Sequence, residues 1–249
     1  MPKRKRGTTL KTRLLAAAAA CCCIALPASA GVFSVTPVRI FMTPHDRAIA
    51  VTVTNEGDDE LVMQADIYTW KQKADGTDDL QLSEDLILAP PILKIPGKGR
   101  QVVRLAMLTP PTSPGQQTYR MILREIPEAH AQEKKVQLQI ALAFSLPVFI
   151  TPPNAKRDLA CSIARSAPDT VAARCENHGS AYAQPREFTL TGADGAKIAD
   201  LESAAYILPG MTRTYAIKRA DGSIAPGPAK LAVNFDDGTS RSFDVTVGN

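Results

Sequence analysis

Large apolar residues take every second position from Val136 to Ile150: Val136, Leu138, Ile140, Leu142, Phe144, Leu146, Val148 and Ile150. Mostly small or polar residues separate them, among them Gln137, Ala143, Ser145 and Pro147. Successive strand side chains point to opposite faces, so this row predicts one strand with a continuous hydrophobic face. At a strand's rise it would span roughly 50 Å, several times the usual length. Shorter alternating runs occur at Ala48–Thr54, Val62–Trp70, Gln101–Leu108 and Thr118–Ile126. Beyond the row they recur at Leu159–Ala164, Val171–Glu176, Glu187–Thr191, Tyr206–Leu208, Thr212–Lys218, Lys230–Phe235 and Ser240–Val247. Turn residues punctuate them, as at Asn55-Glu56-Gly57, Asp75-Gly76, Pro96-Gly97, Pro114-Gly115 and Asp236-Asp237-Gly238. No ten-residue amphipathic helix interrupts the pattern. The fold class expected is all-β, with two antiparallel sandwiches meeting near Thr151-Pro152-Pro153-Asn154. The corresponding division is residues 31–153 and 154–249.

The first thirty residues stand apart. Lys3, Arg4, Lys5, Arg6, Lys11 and Arg13 precede an apolar run from Leu14 to Leu26, and Ala28-Ser29-Ala30 offers a small-residue cleavage site. This is the pattern of a secretory signal peptide over 1–30, which predicts export without a membrane span. Removing its six basic residues takes the formal charge from +4 to −2. The basic character therefore belongs to the leader and suggests neither nucleic-acid binding nor membrane insertion. Cys21, Cys22 and Cys23 leave with it. Cys161 and Cys175 remain, an even pair expected to form a disulfide in an oxidising compartment.

Candidate chemistry is sparse. His45, His130 and His178 are far apart, and none shares metal-ligand spacing with another His, Cys or Glu. Cys175 and His178 make one isolated pair, and Cys161 is the better partner for that cysteine. No G-x-S-x-G and no phosphate-cradling glycine loop is present. Asp75–Asp79 lacks the ligand order of a calcium loop, which favours a solvated hairpin tip. No enzyme activity, cofactor or metal is expected.

Three stretches resemble the PapD-like periplasmic pilus chaperones. The first is Ala89-Pro90-Pro91-Ile92-Leu93-Lys94-Ile95-Pro96-Gly97, followed by Arg100-Gln101-Val102-Val103-Arg104-Leu105. The second is Tyr119-Arg120-Met121-Ile122-Leu123-Arg124-Glu125-Ile126-Pro127, and the third is the apolar row from Val136. The resemblance implies two Ig-like domains in a boomerang arrangement with a cleft between them. It also implies periplasmic pilus (fimbrium) assembly by donor-strand complementation. The chaperone lends a strand to subunits that lack one, and an outer-membrane usher later exchanges it. Pilus or spore-coat-like subunits and an usher are the implied partners. Val136, Leu138, Ile140, Leu142 and Phe144 are the implied donor residues. A donor needs an unpaired edge and apolar residues on one face, which the row supplies. Such edges also self-pair, so a self-capped dimer is expected when the subunit is absent.

The family also anchors its client's terminal carboxylate with an arginine near the start of the domain and a lysine late on the donor strand. Arg39 matches the first, and Pro147 stands where the second belongs. This departure is similar to the archaic Csu-like branch. Arg120 is the expected substitute, because a hairpin between the second and third motifs would bring it opposite about residue 145. The alternative for Arg120 is an ion pair within its own sheet. The rival function is a secreted two-domain β-sandwich that binds carbohydrate or a surface protein, which requires exposed aromatics at loop ends.

Overall fold

The computed structural model describes residues 33–109, 113–127 and 141–249. Seventeen strands run in order: β1 (Phe33–Thr36), β2 (Ile40–Met42), β3 (Ala48–Asn55), β4 (Leu61–Gln72), β5 (Asp78–Leu82), β6 (Leu86–Ala89), β7 (Ile92–Ile95), β8 (Arg100–Met107) and β9 (Gln117–Glu125). Then come β10 (Ala143–Ile150), β11 (Leu159–Ala167), β12 (Thr170–Asn177), β13 (Pro185–Gly192), β14 (Lys197–Glu202), β15 (Thr212–Lys218), β16 (Gly227–Phe235) and β17 (Ser240–Val247). No helix occurs among the described residues.

The first sandwich packs the sheet β1-β3-β8-β6 on the sheet β2-β10-β9-β4-β5, with β7 also paired to β4. The alternation seen in the sequence fills the space between them. Val51 and Val53 of β3 meet Met63, Ala65 and Ile67 of β4, Met121 and Leu123 of β9, and Leu146, Val148 and Ile150 of β10. Burying a side chain of this size contributes about 1.5–3 kcal/mol, which is why the period of two persists on every central strand. At the Pro96–Gly97 turn, a Cβ on Gly97 would lie 1.9 Å from the Asp58 carbonyl oxygen, so the backbone contact there requires glycine.

The second sandwich packs β11-β12-β15 on β14-β13-β16-β17 around Phe188, Leu190, Ile217, Leu231 and Val233. Cys161 and Cys175 face each other across β11 and β12 and are joined as a disulfide. Two expectations need correction here. Tyr206–Leu208 is no strand: it contributes one bridge, Ile207 to Ala183, with Ile207 buried in the second core and Tyr206 and Leu208 turned toward the first sandwich. Of the long row, Ala143–Ile150 is strand and Ala141 and Leu142 are not, while residues 136–140 lie outside the described residues.

A third apolar cluster joins the sandwiches. Trp70, Phe149 and Leu208 are buried there with Tyr182, Tyr206 and Met211 packed on them. Trp70 and Phe149 stand on the outer faces of β4 and β10, opposite the first sandwich's own core. Polar bonds frame the seam. The amide of Gln72 donates to the Tyr206 carbonyl (3.1 Å) and accepts from the Leu208 N–H (3.0 Å). Arg213 donates to the Gly76 carbonyl (2.9 Å), and the Tyr182 N–H donates to the Gln116 side chain (2.9 Å).

Candidate functional site

β10 has two different edges. Against β9 it is paired along its whole length, from Ala143 opposite Arg124 to Ile150 opposite Gln117. Against β2 it is paired only at Val148, Phe149 and Ile150. From Ala143 to Pro147 that side has no strand partner among the described residues. The side chains divide two residues earlier, between Ser145 and Leu146. Leu146 to Ile150 are all buried, whereas Leu142 and Phe144 are exposed, Phe144 resting on the Phe33 ring at 4.7 Å between centroids. Of the expected donor residues, Leu142 and Phe144 thus lie on or next to the open edge. Val136, Leu138 and Ile140 lie outside the described residues.

Pro147 pairs with Arg120, two residues further along β10 than the expected position 145. The pairing puts a guanidinium beside the strand position where the lysine is missing. Arg120 projects to the outer face, lies 3.7 Å from the centre of the Trp70 ring and 5.6 Å from that of Tyr206, and its side chain is only 14% exposed. Burial pushes its pKa below the usual arginine value, with Asp78 and Tyr206 pulling the other way. Its carboxylate contact is the Asp78 Oδ2 of edge strand β5, at 3.6 Å. The pairing within the sheet is therefore present, though long for a charge-assisted hydrogen bond.

Arg39 sits in the bend that carries the chain from β1 in one sheet to β2 in the other. Its Nη1 donates to Asp236 Oδ2 at 2.6 Å and to Gln184 Oε1 at 3.2 Å, both from the second sandwich. The Tyr182 hydroxyl donates to the same Asp236 oxygen at 3.0 Å. The Asp236 side chain is 7% exposed and that of Arg39 36%. Burial works against the arginine's charge, but the Asp236 bond and the neighbouring Tyr206, Asp236 and Tyr182 outweigh it and raise the pKa. The two arginines share a neighbour in Tyr206. Burial raises its pKa, and the charges of Arg39 and Arg120 partly oppose this. The hydroxyl stays neutral and able to donate.

The sequence pointed to Arg39 and Arg120 but not to Asp236, Gln184, Tyr182, Tyr206 or Asp78. Asp236 reads locally as part of a hairpin turn, and its bond to Arg39 crosses 197 positions. Five aromatics gather in the seam between the sandwiches: Trp70, Phe149, Tyr182 and Tyr206, with the exposed Phe41 stacked on Phe149 at 5.6 Å. Beside them a cleft of about 610 Å3 opens between Phe41, Thr43, Gln116, Lys156, Arg157 and Tyr182. Among the described residues no cluster of His, Cys, Asp or Glu could hold a metal. His178 faces Glu176 (3.4 Å), not the disulfide.

The family model for pili and flagellar-assembly chaperones, PapD N-terminal domain, matches residues 32–156. Comparison with curated proteins returned no match. Among solved structures, the chain resembles one in the CsuC–CsuE chaperone–tip adhesion subunit pre-assembly complex from archaic chaperone-usher Csu pili of Acinetobacter baumannii. The two share 20% identity with a TM-score of 0.62, over 88% of this chain and 100% of that one. The chaperone DraB of E. coli is similar at 18% identity and a TM-score of 0.57, over 88% and 97%. A chain of the Salmonella enterica SafA pilin–SafB chaperone complex is similar at 12% identity and 0.58, also over 88% and 97%. At these identities the likeness is one of fold.

Proposed function

This chain belongs to the family of pili and flagellar-assembly chaperones, and from that premise we propose that it captures incomplete pilus subunits in the periplasm by lending them its β10 strand, then passes them to an outer-membrane usher. The observation that carries this is the open β2-facing edge of β10 between Ala143 and Pro147, which bears the exposed Phe144 and is preceded by the exposed Leu142. A subunit lacking a strand exposes backbone donors, backbone acceptors and an apolar groove, and is an aggregation hazard. An edge strand with apolar residues on one face satisfies both needs at once, backbone bonds supplying affinity and side chains register. Val136, Leu138 and Ile140 extend the same row in sequence.

In this reading the client's terminal carboxylate is received by Arg39 and Arg120. The register of Arg120 against Pro147 supports its taking the place of the missing lysine. Two guanidinium groups on one carboxylate give charge-assisted bonds that set the register of the lent strand. Substitution of the lysine and the fold likeness to the Csu complex favour the archaic branch.

The test is co-expression with a pilus subunit that lacks its last strand. Ile140→Asp with Leu142→Asp is expected to abolish recovery of soluble subunit while leaving the chaperone folded. Unchanged recovery would refute strand donation.

A further inference from the structure

The two arginines hold their carboxylates on different terms. Asp236 is almost wholly buried, accepts from Arg39 at 2.6 Å and takes a second bond from Tyr182. Displacing it would strand a buried charge, so an incoming anion adds to the exposed edge of Arg39 and leaves Asp236 in place. Asp78 differs in each respect. Its side chain is 41% exposed, its oxygen stands 3.6 Å from Arg120, and its other contact is the Gln72 amide at 3.4 Å. It lies on β5, an edge strand paired only to β4, where a change of rotamer returns the carboxylate to water.

Arg120 itself cannot turn away. Its guanidinium is wedged against Trp70 and Tyr206, and its side chain is nearly covered. Among the groups over it, Asp78 is the surface one, so the position an anion would take on Arg120 is the position Asp78 holds. We propose that Asp78 is an internal stand-in for the client's terminal carboxylate, occupying Arg120 in the free chaperone and leaving when the client arrives. This rests on the proposed role of Arg120 and deepens it. A buried cation keeps a partner at all times, and Asp236 keeps Arg39 clamped to the second sandwich throughout. A ligand that must displace a competing group binds more weakly by the fraction of molecules in which the site is free.

Trp70 is the chain's one tryptophan and touches Arg120, so its emission reports the site. The probes are N-acetyl-leucine, which has a free carboxylate, and N-acetyl-leucinamide, which does not, titrated at constant ionic strength. Asp78→Asn is expected to bind the carboxylate about three- to tenfold more tightly than the unaltered chain, without responding to the amide. Asp79→Asn, which removes the same charge from the neighbouring position on the opposite face of β5, is expected to change affinity by less than about twofold. Equal tightening in both variants would mean a general field effect and would overturn the proposal. So would an Asp78→Asn chain that binds no more tightly than the unaltered one, or that shows no carboxylate-specific response. Arg120→Gln separates the two levels. If it abolishes the response while Asp78→Asn changes nothing, Arg120 remains the anchor and only the stand-in is wrong. If it leaves the response intact, the anchor at Arg120 is wrong as well.

Discussion

Removing the Arg39 side chain should loosen the two sandwiches from each other. In Arg39→Ala, Asp236 keeps the Tyr182 hydroxyl but loses its cation while remaining buried. Breaking a fully buried ion pair on one side costs about 3–5 kcal/mol. Arg39 is about one-third exposed, so water offsets part of this, and about 2–3 kcal/mol is expected. Asp236→Ala should cost less, about 1–2 kcal/mol, because the freed guanidinium can reach solvent. The double variant should cost little more than Arg39→Ala alone, giving a coupling of about 1–2 kcal/mol. Urea unfolding followed by Trp70 emission measures all three, since Trp70 is buried in the seam itself. A coupling under about 0.5 kcal/mol, the usual scatter for independent sites, would refute the clamp. It would also remove the reason for treating Asp236 as fixed and Asp78 as exchangeable.

The two halves of β10 should differ in what they contribute to stability. Ile150→Ala, wholly within the first core, is expected to cost about 2–5 kcal/mol, and Phe144→Ala about 1 kcal/mol or less; equal losses in thermal or urea unfolding would contradict an edge that is spare to the fold. In the second sandwich, burial raises the Tyr215 pKa to about 12, against the opposing charge of Arg213 and the nearby Ser203. A group raised above its unfolded value of about 10 contributes stability that is complete below that pH and lost as pH climbs toward 12. Tyr215→Phe should therefore lose up to about 2–3 kcal/mol less than the unaltered chain between pH 9 and 12, and parallel urea midpoints across that range would count against it.

Strand positions in the first sandwich were legible because burial there imposes a period of two. Any strand with one face in the core must alternate, and β3, β4, β8 and β9 do so to within two residues of the expected ends. The short strands β1, β2, β5, β6 and β7 escaped because three to five residues carry too little periodicity to read. Tyr206–Leu208 alternated for a different reason: Ile207 enters the second core while Tyr206 and Leu208 face the seam, where Tyr206 meets Trp70 edge-on at 5.2 Å.

By itself, the chain's order of residues determined an all-β fold, the cysteine pair and the apolar row. These are local facts, set by side-chain alternation, residue type and short spacing, whereas Arg39 and Arg120 stood out only through the resemblance to the pilus chaperones. Tertiary structure alone decided that the row changes character at Ala143–Pro147, since that depends on how far β2 runs alongside β10. It also decided that Arg39 is tied to Asp236 across 197 positions while Arg120 has only a long contact to an exposed acid. Which carboxylate is locked and which can leave depends on burial, and burial arises only when the two sandwiches close on the same aromatic seam.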